Sequence, residues 1–135
     1  MEKIHSTYLR QLRGCLGDMT YELSIRYLSV AREPAWTPAI NAYLCREQIV
    51  VCAELAGVVT EHIELHAEPR RLVIRGRRQP LETSGDEGPP LQVLALEIDQ
   101  GVFQREIPLP RAIDPAGVRA QQRDGLLWIY LPLLP

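Results

Sequence analysis

The hydrophobic pattern of the chain changes its period near Pro34. Before that point, apolar side chains recur at positions that share one helical face: Ile4, Tyr8, Leu12 and Leu16. This spacing is typical of an amphipathic helix, and Asp18 is a suitable N-cap for a second one. The pattern therefore predicts a partly helical N-terminal arm, residues 1–35, that packs on its own domain or on a partner.

After Pro34 apolar residues recur at every second position, the period of a half-buried β-strand. Alternation over residues 49–55 predicts one strand, and residues 62–67 and 71–75 predict a hairpin. Further strands are predicted at 91–98, 102–107, 118–121 and 126–131. Many short strands without intervening helices favour an all-β sandwich.

Residues 77–90 are polar and rich in Gly and Pro, which predicts an exposed loop. The chain has 135 residues, 46% of them hydrophobic, which suits one folded domain with a core of its own. Its 11 prolines disfavour a compact helical bundle.

A net charge of −2 disfavours a nucleic-acid-binding surface. No apolar run has the roughly 20 residues that a membrane helix needs, and the N-terminus lacks the apolar core of a signal peptide. The cysteines, Cys15, Cys45 and Cys52, are odd in number and form no C-x-x-C pair, which favours reduced thiols. We therefore expect a cytoplasmic protein that binds neither nucleic acid nor membrane.

Residues His62, Glu64 and His66 share one face of a predicted strand, and imidazole and carboxylate groups are plausible zinc ligands. We favour a solvated polar face instead, because the nearby sequence supplies no fourth ligand. Ser84 lies in the predicted loop and outside any G-x-S-x-G elbow, and no P-loop motif is present. The sequence thus supports neither catalysis nor a cofactor.

A basic cluster lies around the predicted hairpin: Arg70, Arg71, Arg75, Arg77 and Arg78. Acidic residues follow it in the chain: Glu82, Asp86 and Glu87. Because the chain is acidic overall, surface ion pairing is a better explanation of the cluster than phosphate binding.

A series of motifs runs through the second part of the chain, at residues 36–43, 54–58, 72–78, 101–105, 109–110, 120–127 and 129–132. Their sequences include WTPAINAY, ELAGV, LVIRGRR, GVFQR with LP, and AQQRDGLL. In this order they resemble the α-crystallin domain of small heat-shock proteins in its bacterial and plant form. Asn41 and Ala56 depart from the Asp and Pro that the family has at these positions.

The resemblance implies an immunoglobulin-like sandwich over residues 36–132 that works as an ATP-independent holdase for partly unfolded proteins. It also implies a dimer formed by strand exchange through residues 79–100. The interface residues would be Leu91, Val93, Leu94, Leu96 and Arg105. Arg105 is expected to be an interface or core ion-pair residue.

In the family, an I-x-I tail fills an apolar groove between two strands. The corresponding client or tail groove would be lined here by Ile63, Leu65, Val118 and Ala120. Residues 133–135 are too short a tail to carry that anchor, so we expect dimers or small oligomers held by the N-terminal arm. Arm contacts to clients would come from the helical stripe: Ile4, Tyr8, Leu12 and Leu16.

Other functions fit the sequence less well. One is a non-catalytic β-sandwich module, a co-chaperone or scaffold with a dedicated partner. The other is a metal-dependent or hydrolytic enzyme that uses His62 and His66.

Overall fold

A computed structural model describes residues 2–3, 34–81 and 88–135. Its strands, in chain order, are β1 (Glu2–Lys3), β2 (Ile40–Leu44), β3 (Gln48–Glu54), β4 (Ile63–Glu68), β5 (Arg71–Arg78), β6 (Gly101–Pro108), β7 (Arg119–Arg123) and β8 (Leu126–Pro132). Short 3-10 turns at Thr60–His62 and Pro115–Gly117 precede β4 and β7. The predicted arm helices, with the stripe Ile4, Tyr8, Leu12 and Leu16, lie outside the described residues.

The strands form two antiparallel sheets. One has five strands in the order β1-β7-β8-β3-β2, and the other has three in the order β4-β5-β6. The all-β sandwich prediction is confirmed. The order leaves β2 at one edge of the larger sheet, and β4 and β6 at the two edges of the smaller one.

The core lies between the sheets and consists of the alternate side chains that the sequence period assigns to one face. On β4 the burial alternates strictly, and on β8 each buried residue is flanked by half-buried ones. The largest fully buried side chains include Leu55, Leu72, Ile74, Phe103, Ile113, Ile129 and Leu131. Since successive side chains of a strand face opposite sides, this alternation shows which face of each sheet is buried.

One prediction about the middle of the chain is wrong. Strand β5 continues through Arg77 and Arg78, which the sequence placed in a loop. Residues 91–98, predicted as a strand, pair with no strand among the described residues and are exposed outside both sheets. Their pairing with a second molecule stays a prediction. Strand β2 was not predicted as a strand, because exposed side chains hide its period.

Gly76 lies in the middle of the smaller sheet, paired with Ile63 on one side and Phe103 on the other. A Cβ at this position would come within 2.1 Å of the His62 carbonyl oxygen and 2.6 Å of the Phe103 ring. The ring of Phe103, the single phenylalanine of the chain, is fully buried and has no room to retreat. Gly76 is therefore required by the close approach of backbone and ring.

We expect Gly76→Ala to destabilise the fold by about 3 kcal/mol, because the added methyl group overpacks the core. Gly88→Ala is the matched control, because a Cβ at that position would meet nothing within 4 Å. Only its φ of +71° opposes the change, and we expect this variant to lose about 1 kcal/mol of stability. Denaturant unfolding of both variants measures the difference. Equal losses would contradict the steric explanation.

Candidate interaction surfaces

Residues 88–100 leave the sandwich and are exposed throughout. The predicted interface residues lie here, with exposed fractions of 105% for Leu91, 57% for Val93, 89% for Leu94 and 82% for Leu96. So many large apolar side chains in one exposed segment are typical of a surface that another molecule covers. The structure therefore places these four predicted interface residues together, without a cover from the described part of this chain.

Strand β2 forms an open edge. Within the described residues it pairs only with β3, so its outer backbone groups face away from the sheet. Its sequence, INAYL, carries none of the charges or prolines with which edge strands commonly avoid pairing. Tyr43 and Leu44 are each about half exposed. This edge is suited to accept another strand.

Arg105, the fifth predicted interface residue, lies on β6 beside Ile74. It is partly buried, and its guanidinium donates a 3.4 Å hydrogen bond to the Pro38 carbonyl oxygen, just before β2. Among the described residues no carboxylate pairs with it. A core ion pair within the described chain is thus not found, and an interface role stays a prediction.

The predicted groove residues lie in the core. Ile63, Leu65, Val118 and Ala120 are at most 5% exposed, so they line no open groove in this conformation. The physical reason is that the buried side chains of β4 point into the core between the two sheets. The outer edge of β7 pairs with the N-terminal strand β1.

A polar bridge closes the same side of the sandwich. The Thr60 hydroxyl lies 2.7 Å from the Gln122 side-chain oxygen, and the Gln122 amide donates to the Val58 carbonyl. Access for a tail or client at this side would require the β4 and β7 edges to move apart.

The polar face of β4 makes one ion pair and one contact between a histidine and a carboxylate. Glu64 lies 2.6 Å from Arg75, and His66 lies 3.4 Å from Glu68. Within residues 34–81 and 88–135, no group of three or more His, Cys, Asp or Glu side chains could hold a metal ion. In the same part of the chain, no helix has the length and hydrophobicity needed to span a bilayer.

Two residues of the basic cluster, Arg71 and Arg75, form ion pairs with carboxylates of the smaller sheet. Arg71 lies 2.6 Å from Glu68 and 3.0 Å from Glu106. The hydrogen bond from Arg71 lowers the pKa of the Glu68 carboxyl, with a smaller contribution from His66. The predicted partners Glu82, Asp86 and Glu87, and also Ser84, lie outside the described residues.

The last residues of the chain pack on the sandwich. Leu131 is fully buried, and Leu133 forms a bridge with Ile113 and donates a 3.0 Å hydrogen bond to the Glu47 carbonyl. Both apolar positions of this L-x-L segment therefore contribute to their own domain.

Sequence reasoning missed the role of Arg78, the last residue of β5. Its side chain is 5% exposed and is the one buried charged side chain among the described residues. It donates to the Asp99 carbonyl at 2.7 Å and to the Ala56 carbonyl at 2.9 Å, and it lies 4.3 Å from the centre of the Trp36 ring. The signal in the sequence was its position: Arg78 falls on the same face of β5 as the buried residues Leu72 and Ile74, two positions after Gly76.

Comparison with known proteins agrees with this architecture. The sequence profile of the Hsp20/alpha crystallin family matches residues 44–135. The chain is 30% identical over 111 residues to the 18 kDa antigen 1 of Mycobacterium avium, which covers 82% of this chain and 71% of that protein. It is 33% identical over 89 residues to the 19.0 kDa class II heat shock protein of Oryza sativa, and the match spans about half (51%) of that protein.

Solved structures give the same result. The hspA of Xanthomonas axonopodis superposes with a TM-score of 0.63 at 29% identity and covers 74% of this chain and 96% of its own. Heat shock protein 16.0 of Schizosaccharomyces pombe gives 0.64 at 28% identity, over 73% of this chain and 88% of its own. With both the sequence profile and the sandwich in agreement, the chain belongs to the Hsp20/alpha crystallin family, the small heat-shock proteins, which are non-enzymatic chaperones.

Proposed function

We propose that this protein is an ATP-independent holdase, which binds partly unfolded proteins through apolar surface and prevents their aggregation. The observation that carries the proposal is the match to the Hsp20/alpha crystallin family over residues 44–135. A non-native chain can bury its own apolar groups against such surface, and each buried side chain contributes about 2 kcal/mol.

The working unit that we propose is a dimer made by strand exchange. Residues 88–100 would leave one subunit and pair with the open edge of β2 in a second copy. Fully extended, this segment spans roughly 40 Å, which is ample for reaching a neighbouring sheet. Pairing would satisfy the backbone groups of both strands and cover Leu91, Leu94 and Leu96, which are more than four-fifths exposed.

Client binding then falls to other apolar surface, because the exchanged segment is covered in the dimer. We propose the arm residues Ile4, Tyr8, Leu12 and Leu16 for this role. The side of the sandwich between β4 and β7 would join them when the bridge through Gln122 opens. We also propose dimers or small oligomers that act in the cytoplasm, with unfolded proteins as the partners and no cofactor.

The holdase proposal is tested by light scattering of a heat-labile protein, without ATP. We expect an equimolar amount of this chain to suppress the scattering increase by more than half, and added ATP to change nothing. An immunoglobulin domain of similar size serves as the control for a bare β-sandwich. Undiminished aggregation would contradict the holdase function and favour a binding module with one dedicated partner.

Removing residues 82–96 should give a monomer, because the segment that pairs with β2 of the second copy is lost. Sedimentation velocity measures the mass directly. The point variant Leu94→Asp keeps the loop length and should also weaken the dimer, whereas Gln92→Ser should leave it intact. A deletion variant that still has the mass of a dimer rejects strand exchange.

Replacing Arg105 with Lys should weaken dimerisation or lower the unfolding temperature. A planar guanidinium can serve the Pro38 carbonyl and a carboxylate of the second copy together, which a single ammonium group reproduces poorly. We expect a loss of about 1–2 kcal/mol, typical of a hydrogen bond to a charged group. Arg111→Lys, at an exposed position, is the control, and equal behaviour of the two variants would count against the prediction.

A further inference from the structure

Arg78 closes the segment that projects from the sandwich. The described residues of this segment are 79–81 and 88–100. It begins directly after Arg78 and is followed by Gly101, the backbone partner of Arg78 in the β5–β6 pair. The Arg78 guanidinium also holds the Asp99 carbonyl at 2.7 Å, close to the end of the same segment. One residue thus fixes both ends of the projection, through its backbone and through its side chain.

Further contacts tie this closure to the body of the domain. The second hydrogen bond of Arg78 goes to Ala56, in the turn that follows β3 in the larger sheet. Its guanidinium lies over Trp36, whose indole nitrogen donates to the Gly101 carbonyl at 3.1 Å. The base of the segment is therefore held against both sheets.

The chemistry of this position favours a role other than bulk stability. Burying a guanidinium is costly, and the groups that compensate it among the described contacts are two carbonyl oxygens and an aromatic face. The two carbonyl groups belong to exposed residues, so water can hydrogen-bond to them when an apolar side chain replaces Arg78. Methionine could fill much of the same space on Trp36. What an apolar side chain cannot do is donate to Asp99 and Ala56 in two directions.

We infer that Arg78 is a positioning residue for dimer formation: it holds the end of residues 88–100 through Asp99 and so presents Leu91, Leu94 and Leu96 to a second copy. The inference rests on the proposed strand exchange. Ordering a loop before it binds lowers the entropy lost on association. Without the clamp, the same apolar side chains are present but their segment samples many more directions.

The test uses the full chain with Arg78→Met. We expect the dimer dissociation constant, from sedimentation, to rise at least tenfold. The denaturant midpoint of the monomer, measured well below that constant, should hardly move. Hydrogen exchange at the backbone amides of residues 91–98 should become faster, whereas exchange in β3 and β8 stays slow. Arg78→Lys, which can donate to one carbonyl at a time, should fall between the wild type and Arg78→Met.

Arg77→Met is the matched control, since Arg77 precedes Arg78 on β5 and is only half-buried on the other face. An unchanged dissociation constant in Arg78→Met overturns the inference. The inference is also overturned if the monomer's denaturant midpoint falls in proportion to the loss of dimer affinity in both Arg78→Met and Arg78→Lys, or if neither variant folds. In either case the guanidinium would be structural. If instead removal of residues 82–96 leaves the dimer mass unchanged, the proposed strand exchange itself fails.

Discussion

Burial of alternate side chains between two antiparallel sheets is the constraint on which the rest of this structure depends. Strands β3 and β8 lie inside the larger sheet and β5 inside the smaller one, with Val51, Ile74 and Ile129 fully buried between them. This packing decides which strands remain at the edges. It therefore also decides where backbone hydrogen-bonding groups are left for another molecule.

The edges differ in how they are protected. Strand β4 carries the charged residues Glu64 and Glu68, the segment before it is joined to β7 through Gln122, and β7 carries the short strand β1. The β6 edge is covered by the backbone around Trp36. At β2, in contrast, no described strand follows and no charge discourages pairing. A β-sandwich with one such edge, together with an apolar segment outside both sheets, is suited to self-association.

Two arginines show how the surroundings of a side chain give it a role. Arg105 lies on the edge strand β6 and Arg78 is the last residue of β5, and both donate to backbone carbonyl groups. Arg78 is almost fully buried, with short hydrogen bonds that join three segments, whereas Arg105 has one long bond and remains partly exposed. Arg78 makes its hydrogen bonds within a single chain. Arg105 makes one among the described residues, which leaves N–H donors for a partner.

The sequence alone determined the strand pattern of the sandwich, since apolar residues at every second position indicate which face of a strand is buried. It also determined the family through the order of its motifs, two of which contain Gly57 and Gly125, whose φ of +79° suits glycine. Only the tertiary structure decided that Arg78 is buried, that the predicted groove residues belong to the core, and that residues 91–98 pair with no strand in the described part of the chain. The reason is that periodicity is a local property. Burial of a polar side chain and pairing of a strand depend on residues far away in the sequence, such as Asp99 and Trp36 for Arg78, and on the second molecule that we propose for the exposed segment.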